Sequence, residues 1–146
     1  MRYASSAMMK RYETFDHTAD IGVRVFGRTY EEVFANAAYA LFDFITDLDQ
    51  VEEKTTFSIQ VEGGDAEDLL VRWLNELLFL WESKGLMLKG VTFPRLDERS
   101  LSALGRGEIF DPSRHVRNLE IKAVTYHQVQ VRKVDGTWEA RLIFDV

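Results

Sequence analysis

Asp65-Ala66-Glu67-Asp68-Leu69-Leu70-Val71-Arg72-Trp73-Leu74-Asn75-Glu76-Leu77-Leu78-Phe79-Leu80-Trp81-Glu82-Ser83-Lys84-Gly85 is the stretch on which the fold turns. Leu69, Leu70, Trp73, Leu74, Leu77, Leu78 and Trp81 recur at spacings of three and four, the period of one helix face. Gly63-Gly64 breaks the chain just before it. Asp65 is a natural N-cap, the acids of the first turn suit the positive end of a helix, and Gly85 suits the left-handed position that closes one. A stripe this broad marks a central, buried helix. Beyond Gly85 the hydrophobic period drops from about 3.6 to 2 and stays there.

Strands are therefore predicted at Leu86–Leu96, Leu101–Phe110, Leu119–Thr125, Val129–Val134 and Trp138–Phe144. Asp135-Gly136, between the last two, is the signal of a type I′ hairpin. Upstream, Thr29-Tyr30-Glu31-Glu32 is a capping box opening a second helix that runs to about Thr46, with Val33, Ala37, Leu41 and Phe44 at helical spacing. Ile21, Val23 and Val25 define one strand, and Phe57, Ile59 and Val61 another. Strand, helix, strand, helix and a run of strands predict an α+β fold: two main helices packed on a mainly antiparallel β-sheet, in a single compact domain.

Composition bounds the chemistry. The chain has 146 residues, no Cys and a formal charge of −6. Without Cys there is no disulfide scaffold, thiolate metal site or cysteine nucleophile, and a reducing compartment, the cytoplasm, is the expectation. An acidic balance argues against a free-standing nucleic-acid binder. The charge is unevenly placed: residues 13–82 carry 16 acids and four bases, whereas residues 1–12 and 83–146 are each +3. That asymmetry suggests opposed faces or a partner with a positive surface, against the alternative of an ordinary solvated surface. No apolar run is long enough to span a membrane, and the first residues lack the apolar core of a signal peptide. Residues 1–11 read as a flexible N-terminal extension and 12–146 as the domain.

Asp16-His17-Thr18-Ala19-Asp20 is the densest cluster of side chains suited to metal binding or acid–base work, and it precedes a strand, where a loop aims side chains at one point. Its carboxylates suit hard cations that prefer oxygen ligands; an Asx-turn capped by Asp16 and Thr18 is the structural alternative. At the far end, Asp145 stands beside Val146, whose α-carboxylate would add a second anionic group. Were this end near Asp20, three carboxylates would form a Ca²⁺-type site; a frayed, solvated end is the alternative. Gly105-Arg106-Gly107-Glu108 lacks the Lys and the helix start of a phosphate loop and reads as a bulge or a close backbone approach. Asp111-Pro112-Ser113-Arg114-His115 reads as a turn that leaves His115 exposed. Lys122, Tyr126 and His127 are candidates for proton transfer or an anion contact, against the alternative of a polar outer strand face.

Several blocks resemble archease: Tyr12-Glu13-Thr14-Phe15-Asp16-His17-Thr18-Ala19-Asp20-Ile21-Gly22, Gly27-Arg28-Thr29-Tyr30-Glu31-Glu32-Val33-Phe34, Ala40-Leu41-Phe42-Asp43, Gly105-Arg106-Gly107-Glu108, Glu120-Ile121-Lys122-Ala123-Val124-Thr125-Tyr126-His127 and Phe144-Asp145-Val146. They occur in order from Tyr12 onward. The resemblance implies an accessory protein, not a free enzyme, that stimulates the GTP-dependent RNA-splicing ligase of tRNA splicing and RNA repair by promoting its guanylylation and multiple turnover. It further implies an acidic metal site, with Ca²⁺ and in function Mg²⁺ or Mn²⁺, formed by Asp20, Asp145 and the carboxylate of Val146. Asp16, His17, Lys122, Tyr126 and His127 would be supporting or interface groups. The implied partner is the ligase, with RNA touched indirectly or transiently, no membrane, and a monomer favoured. The competing readings are a metal-dependent phosphohydrolase built on His17 and the acidic cluster, and a general chaperone-like modulator.

Overall fold

The structure is a computed structural model that describes residues 10–146, so most of the expected N-terminal extension lies outside the described residues. Arg11 is tied to the fold: its carbonyl accepts from Phe26 N at 2.9 Å and its guanidinium lies 4.1 Å from the Tyr39 ring centre.

The elements, in order, are β1 (Tyr12–His17), β2 (Asp20–Gly27), α1 (Tyr30–Ile45), a 3-10 turn (Leu48–Gln50), β3 (Thr55–Glu62), α2 (Ala66–Lys84), β4 (Leu86–Leu96), β5 (Ser100–Ile109), β6 (Ala123–Val134) and β7 (Thr137–Asp145). Both helices stand where their sequence signals put them. Thr29 Oγ1 accepts from Glu32 N at 3.1 Å, although the Glu32 carboxylate reaches the Arg28 amide rather than that of Thr29. Asp65 caps α2 through Asp68 N, and Gly85 closes it at φ 70.

The α+β class is observed, with all strand pairs antiparallel, but the strands divide into two sheets, β1-β2-β7-β6 and β3-β5-β4. The helices lie against both sheets, which explains why so much of each is buried. Val33, Phe34, Ala37, Leu41 and Phe42 of α1 meet Leu70, Trp73, Leu74 and Leu77 of α2 and Val23, Val25, Leu142 and Phe144 of the larger sheet in one core. The indole N–H of Trp73 donates to the Phe34 carbonyl at 3.1 Å, satisfying the one polar group of the largest buried side chain.

Two strand predictions need correction. Leu119–Lys122 are not strand: Asn118 N and Leu119 N donate to the carbonyls of Ile45 and Phe44, so this segment satisfies the orphaned last turn of α1. Ala123–Thr125 and Val129–Val134 are instead one strand, interrupted by a bulge in which Gln128 takes φ 56. The free edge of β6 is covered by α2. Asn75 exchanges two hydrogen bonds with the backbone of Val124, at 2.9 and 3.0 Å, and Glu67 accepts from Val131 N at 3.0 Å. The expected close approach in β5 is observed at Gly107, where a Cβ would collide with the Met87 carbonyl.

Candidate functional site

The Asp16–Asp20 block is not a loop before a strand. It is the closed end of the β1–β2 hairpin, with His17 opposite Asp20 and only Thr18 and Ala19 between them. Ala19 takes the left-handed conformation, φ 63, that so short a turn demands. On the next strand over, Ile21 lies opposite Phe144, so Asp20 and Asp145, one residue further out, face each other across the strand ends. Asp145 in turn pairs with Ala123 of β6, and its carbonyl accepts from Lys122 N at 2.8 Å. His17, Asp20 and Asp145 therefore form one row across three strands, on one face, because directly opposed residues share a face. Asp16, opposite Ile21, falls on the other face. The row looks away from the helices: Val23, Val25 and Leu142, of the opposite parity, are fully buried beneath them.

The β6 bulge completes the cluster by laying the His127 ring edge-on against His17, with centres 5.6 Å apart. His17 Nδ1 lies 3.7 Å from Asp20 Oδ2, beyond hydrogen-bond reach, and is itself buried. Among the described residues it is the only buried side-chain nitrogen or oxygen with no hydrogen-bond partner. An unpaired atom of this kind costs about 1–3 kcal/mol, and the carboxylate nearest to it is that of Asp20. A hollow of about 600 Å³ at the hairpin end is lined from both faces, by Asp16, Ile21 and Phe44 as well as His17, Thr18 and Asp20. Among the described residues no three His, Asp or Glu side chains converge closely enough to hold a metal ion alone.

The other candidates separate. The Lys122 side chain is exposed, and only its backbone touches Asp145. Tyr126 is directed to α2, donating to Asp68 Oδ1 at 2.6 Å; that bond and partial burial raise its pKa. His115 is buried, not exposed as the turn suggested. Its Nδ1 accepts from Asp111 N at 2.9 Å, which leaves Nε2 protonated and donating to Gln50 O and Glu108 Oε1, both at 3.1 Å. Glu108 is held well below the usual carboxylate range by Arg114 first, against its own burial, with help from Glu52 N and His115. This network fastens the 111–115 turn to the segment after α1. It has no signal in the local sequence, because its partners lie 56 to 65 residues away.

Sequence reasoning also passed over the rest of the exposed face. Arg24 and Arg141 are opposite each other there, a like-charged pair made tolerable by Glu13, Glu139 and Gln128. Both guanidiniums lie over the Phe15 ring, at 5.6 and 4.2 Å, and that ring covers Gly22. The alternation of Glu13, Phe15 and His17 was the available signal, blurred by an aromatic on the solvent side.

A family model, that of the Archease protein family (MTH1598/TM1083), matches residues 12–146. The chain belongs to the archease family. It is 38% identical over 140 residues to the protein archease of Sulfurisphaera tokodaii, covering 94% of this chain and all of that one. To the protein archease of Pyrococcus abyssi it is 41% identical over 142 residues, again with 94% and 100% coverage. The solution structure of Methanobacterium thermoautotrophicum protein 1598 superposes with a TM-score of 0.79 at 36% identity, over 94% of this chain and 100% of that one. The crystal structure of a Thermotoga maritima archease, described as a possible chaperone, shares the fold at a TM-score of 0.63 and 19% identity, over 94% and 98%. The archease match begins at Tyr12, the first residue of β1, and includes the whole row of His17, Asp20 and Asp145.

Proposed function

We propose that the chain is an accessory protein of a GTP-dependent RNA-splicing ligase, and that it acts through the row His17, Asp20 and Asp145. The ligase joins 2′,3′-cyclic-phosphate or 3′-phosphate RNA ends to 5′-hydroxyl ends, as in tRNA splicing and RNA repair; the accessory promotes its guanylylation and multiple turnover. The observation that carries the reading is the facing pair Asp20 and Asp145 at the open strand ends, with His17 opposite Asp20, inside the stretch that the archease family model matches. Groups so placed are presented outward, at the tip of a rigid hairpin, where a partner's cleft can receive them.

A divalent cation fits these donors. Asp20 and Asp145 supply hard oxygens and the Val146 α-carboxylate would be the third, with His17 supporting Asp20 from the facing strand. When bound, Ca²⁺, Mg²⁺ or Mn²⁺ would supply a positive charge able to bridge to phosphate oxygens in the partner's active site. The protein's own part is positional: the Thr18-Ala19 turn fixes His17 against Asp20, the β2–β7 ladder fixes Asp20 against Asp145, and the β6 bulge lays His127 against His17.

We further propose that the protein resides in the cytoplasm and has no catalytic turnover of its own; no helix among the described residues is long and apolar enough to cross a membrane. Reconstitution with the host's own RNA ligase tests the reading. Asp20→Ala and Asp145→Ala should fold and bind the ligase yet fail to restore multiple turnover. Full stimulation by both variants would overturn it. Steady hydrolysis of phosphoesters by the isolated protein with Mg²⁺ or Mn²⁺ would favour the phosphohydrolase instead.

A further inference from the structure

A second site lies at the opposite end of β1. A cavity of about 490 Å³ opens between α1 and the β4–β5 ladder, and its lining includes Lys10, Arg11, Arg28, Lys89 and Arg106, with Glu32 as the one acid. Five cations in one concavity are unexpected in a chain of net charge −6.

Their placement is built. Arg11 is held by its backbone to β2 and stacks on Tyr39, which leaves its guanidinium edge for a ligand. Arg28 engages Glu32 through its amide at 3.0 Å and its guanidinium at 3.2 Å. Burial works against the Glu32 carboxylate, but Arg28, with Arg11 beyond it, keeps it charged. Arg106 donates from Nε to Glu53 at 2.7 Å and crosses Gly90, where a Cβ would stand 2.9 Å from Nη2. Gly90 thus leaves the room the guanidinium occupies, at the bulge between Leu88 and Gly90 in the β4–β5 ladder. Glu32, Glu53 and Glu13 pair with Arg28, Arg106 and Lys10, and Lys89 Nζ donates to the Leu48 carbonyl, so five cations meet three acids and the surplus is positive.

A concave wall of one sign concentrates its field outward and draws oppositely charged ligands. Arginine forks fixed by neighbouring groups match phosphate oxygens, and the volume falls within the range of about 300–1,000 Å³ that holds small ligands. We propose that this cavity binds the phosphate groups of a nucleotide, free or within a single RNA strand. The site shares no residue with the acidic row, and it stands whether or not the ligase reading does.

The full chain is titrated with ATP by calorimetry and with a fluorescein-labelled ten-nucleotide oligouridylate by anisotropy, each at 50 and 200 mM KCl. Saturable binding that weakens with salt is expected, because phosphate contacts release counterions. The double variant Arg28→Ala/Arg106→Ala should lose affinity by roughly tenfold or more, the scale of a charge-assisted contact. Arg11→Ala, outside every strand, should weaken binding too, which guards against a fold defect at the bulge. Arg132→Ala, which removes a cation that pairs with Glu139 on the exposed face, should bind as the parent does. ATP bound as tightly as the oligomer assigns the site to free nucleotides, and oligomer binding without ATP binding assigns it to a strand. Absence of saturable binding by either probe at 50 mM KCl, or unchanged binding in both arginine variants, would overturn the proposal.

Discussion

Replacing Asp20 by Asn tests the acidic row without removing volume. Facing residues on antiparallel strands hold their β-carbons about 4.5–5.5 Å apart, so two carboxylates there repel by roughly 1 kcal/mol in water and about 3 kcal/mol at the effective dielectric of a protein surface. The Asp20 side chain is 28% exposed, at the open end of the sheet, which places the cost near the lower figure. Asp20→Asn removes that repulsion and keeps the shape. In EDTA the variant should therefore melt higher than the parent, by about 3 °C for a domain of this size. Calcium should do the reverse. At a hundred times its dissociation constant a ligand specific to the folded state adds about 2.7 kcal/mol, so the parent should gain several degrees and Asp20→Asn little or nothing. Asp16→Asn, on the other face of β1, should change neither value. Differential scanning calorimetry of the three proteins, with EDTA and with CaCl₂, reads all of this. A lower melting point for Asp20→Asn in EDTA, or an undiminished calcium increment, would refute the reasoning that the two aspartates face one another and share a cation.

Three further outcomes follow from the surrounding structure. Glu108→Gln should destabilise the fold by about 2 kcal/mol at neutral pH, because buried Arg114 and His115 contacts lose their charged acceptor. Since the folded-state pKa of Glu108 lies below its ordinary value of 4.5, the stabilisation is complete above that pH and is lost progressively as pH falls below it. Urea unfolding of parent and variant from pH 7 to 3 should therefore converge, and a constant gap would contradict the network. Asn75→Ala removes both hydrogen bonds to the Val124 backbone and should cost about 2 kcal/mol in the same assay, with faster amide exchange at Val124. Ala19→Gly should stabilise the hairpin by about 0.5–1 kcal/mol, since Ala19 sits at φ 63; a loss would mean that the turn geometry differs.

Parts of the fold governed by neighbours in sequence were legible before the structure. Asp65 and Gly85 bound α2, Thr29 starts α1, and Asp135-Gly136 turns with φ 51 and 82 as its composition requires. Parts governed by distant partners were not. The division into two sheets depends on which strands pair, and pairing leaves no local mark. β1 escaped notice because each of its faces is mixed: Tyr12 reaches inward to hydrogen-bond Asp43 of α1, whereas Phe15 lies outward beneath two arginines. The β6 bulge looked like two strands because the pairing with β7 lapses between Thr125 and Gln130, where Gln128 takes a positive φ, and resumes beyond it. Asp20 and Asp145 were legible as candidates, and their being adjacent was legible only as a condition. The ladder from Ile21–Phe144 outward supplies that condition.

The uneven charge along the chain acquires a different meaning once folded. An acidic first half and a basic remainder suggested opposed faces, but neither site is drawn from one segment. The row combines Asp20 with Asp145, from opposite ends of the chain, and the cavity combines Arg11 and Arg28 with Lys89 and Arg106. What separates the signs is β1 itself. Arg11 leads into one end and His17 closes the other, six residues on, a rise of roughly 20 Å. At 0.15 M salt that exceeds the Debye length of about 8 Å, so the two sites do not cancel each other's fields. Each can meet a partner of its own sign preference. If both readings hold, one rigid strand sets the distance between a carboxylate row offered to a partner enzyme and a cationic cavity offered to phosphate. Changing the length of β1 should then uncouple the two activities without abolishing either.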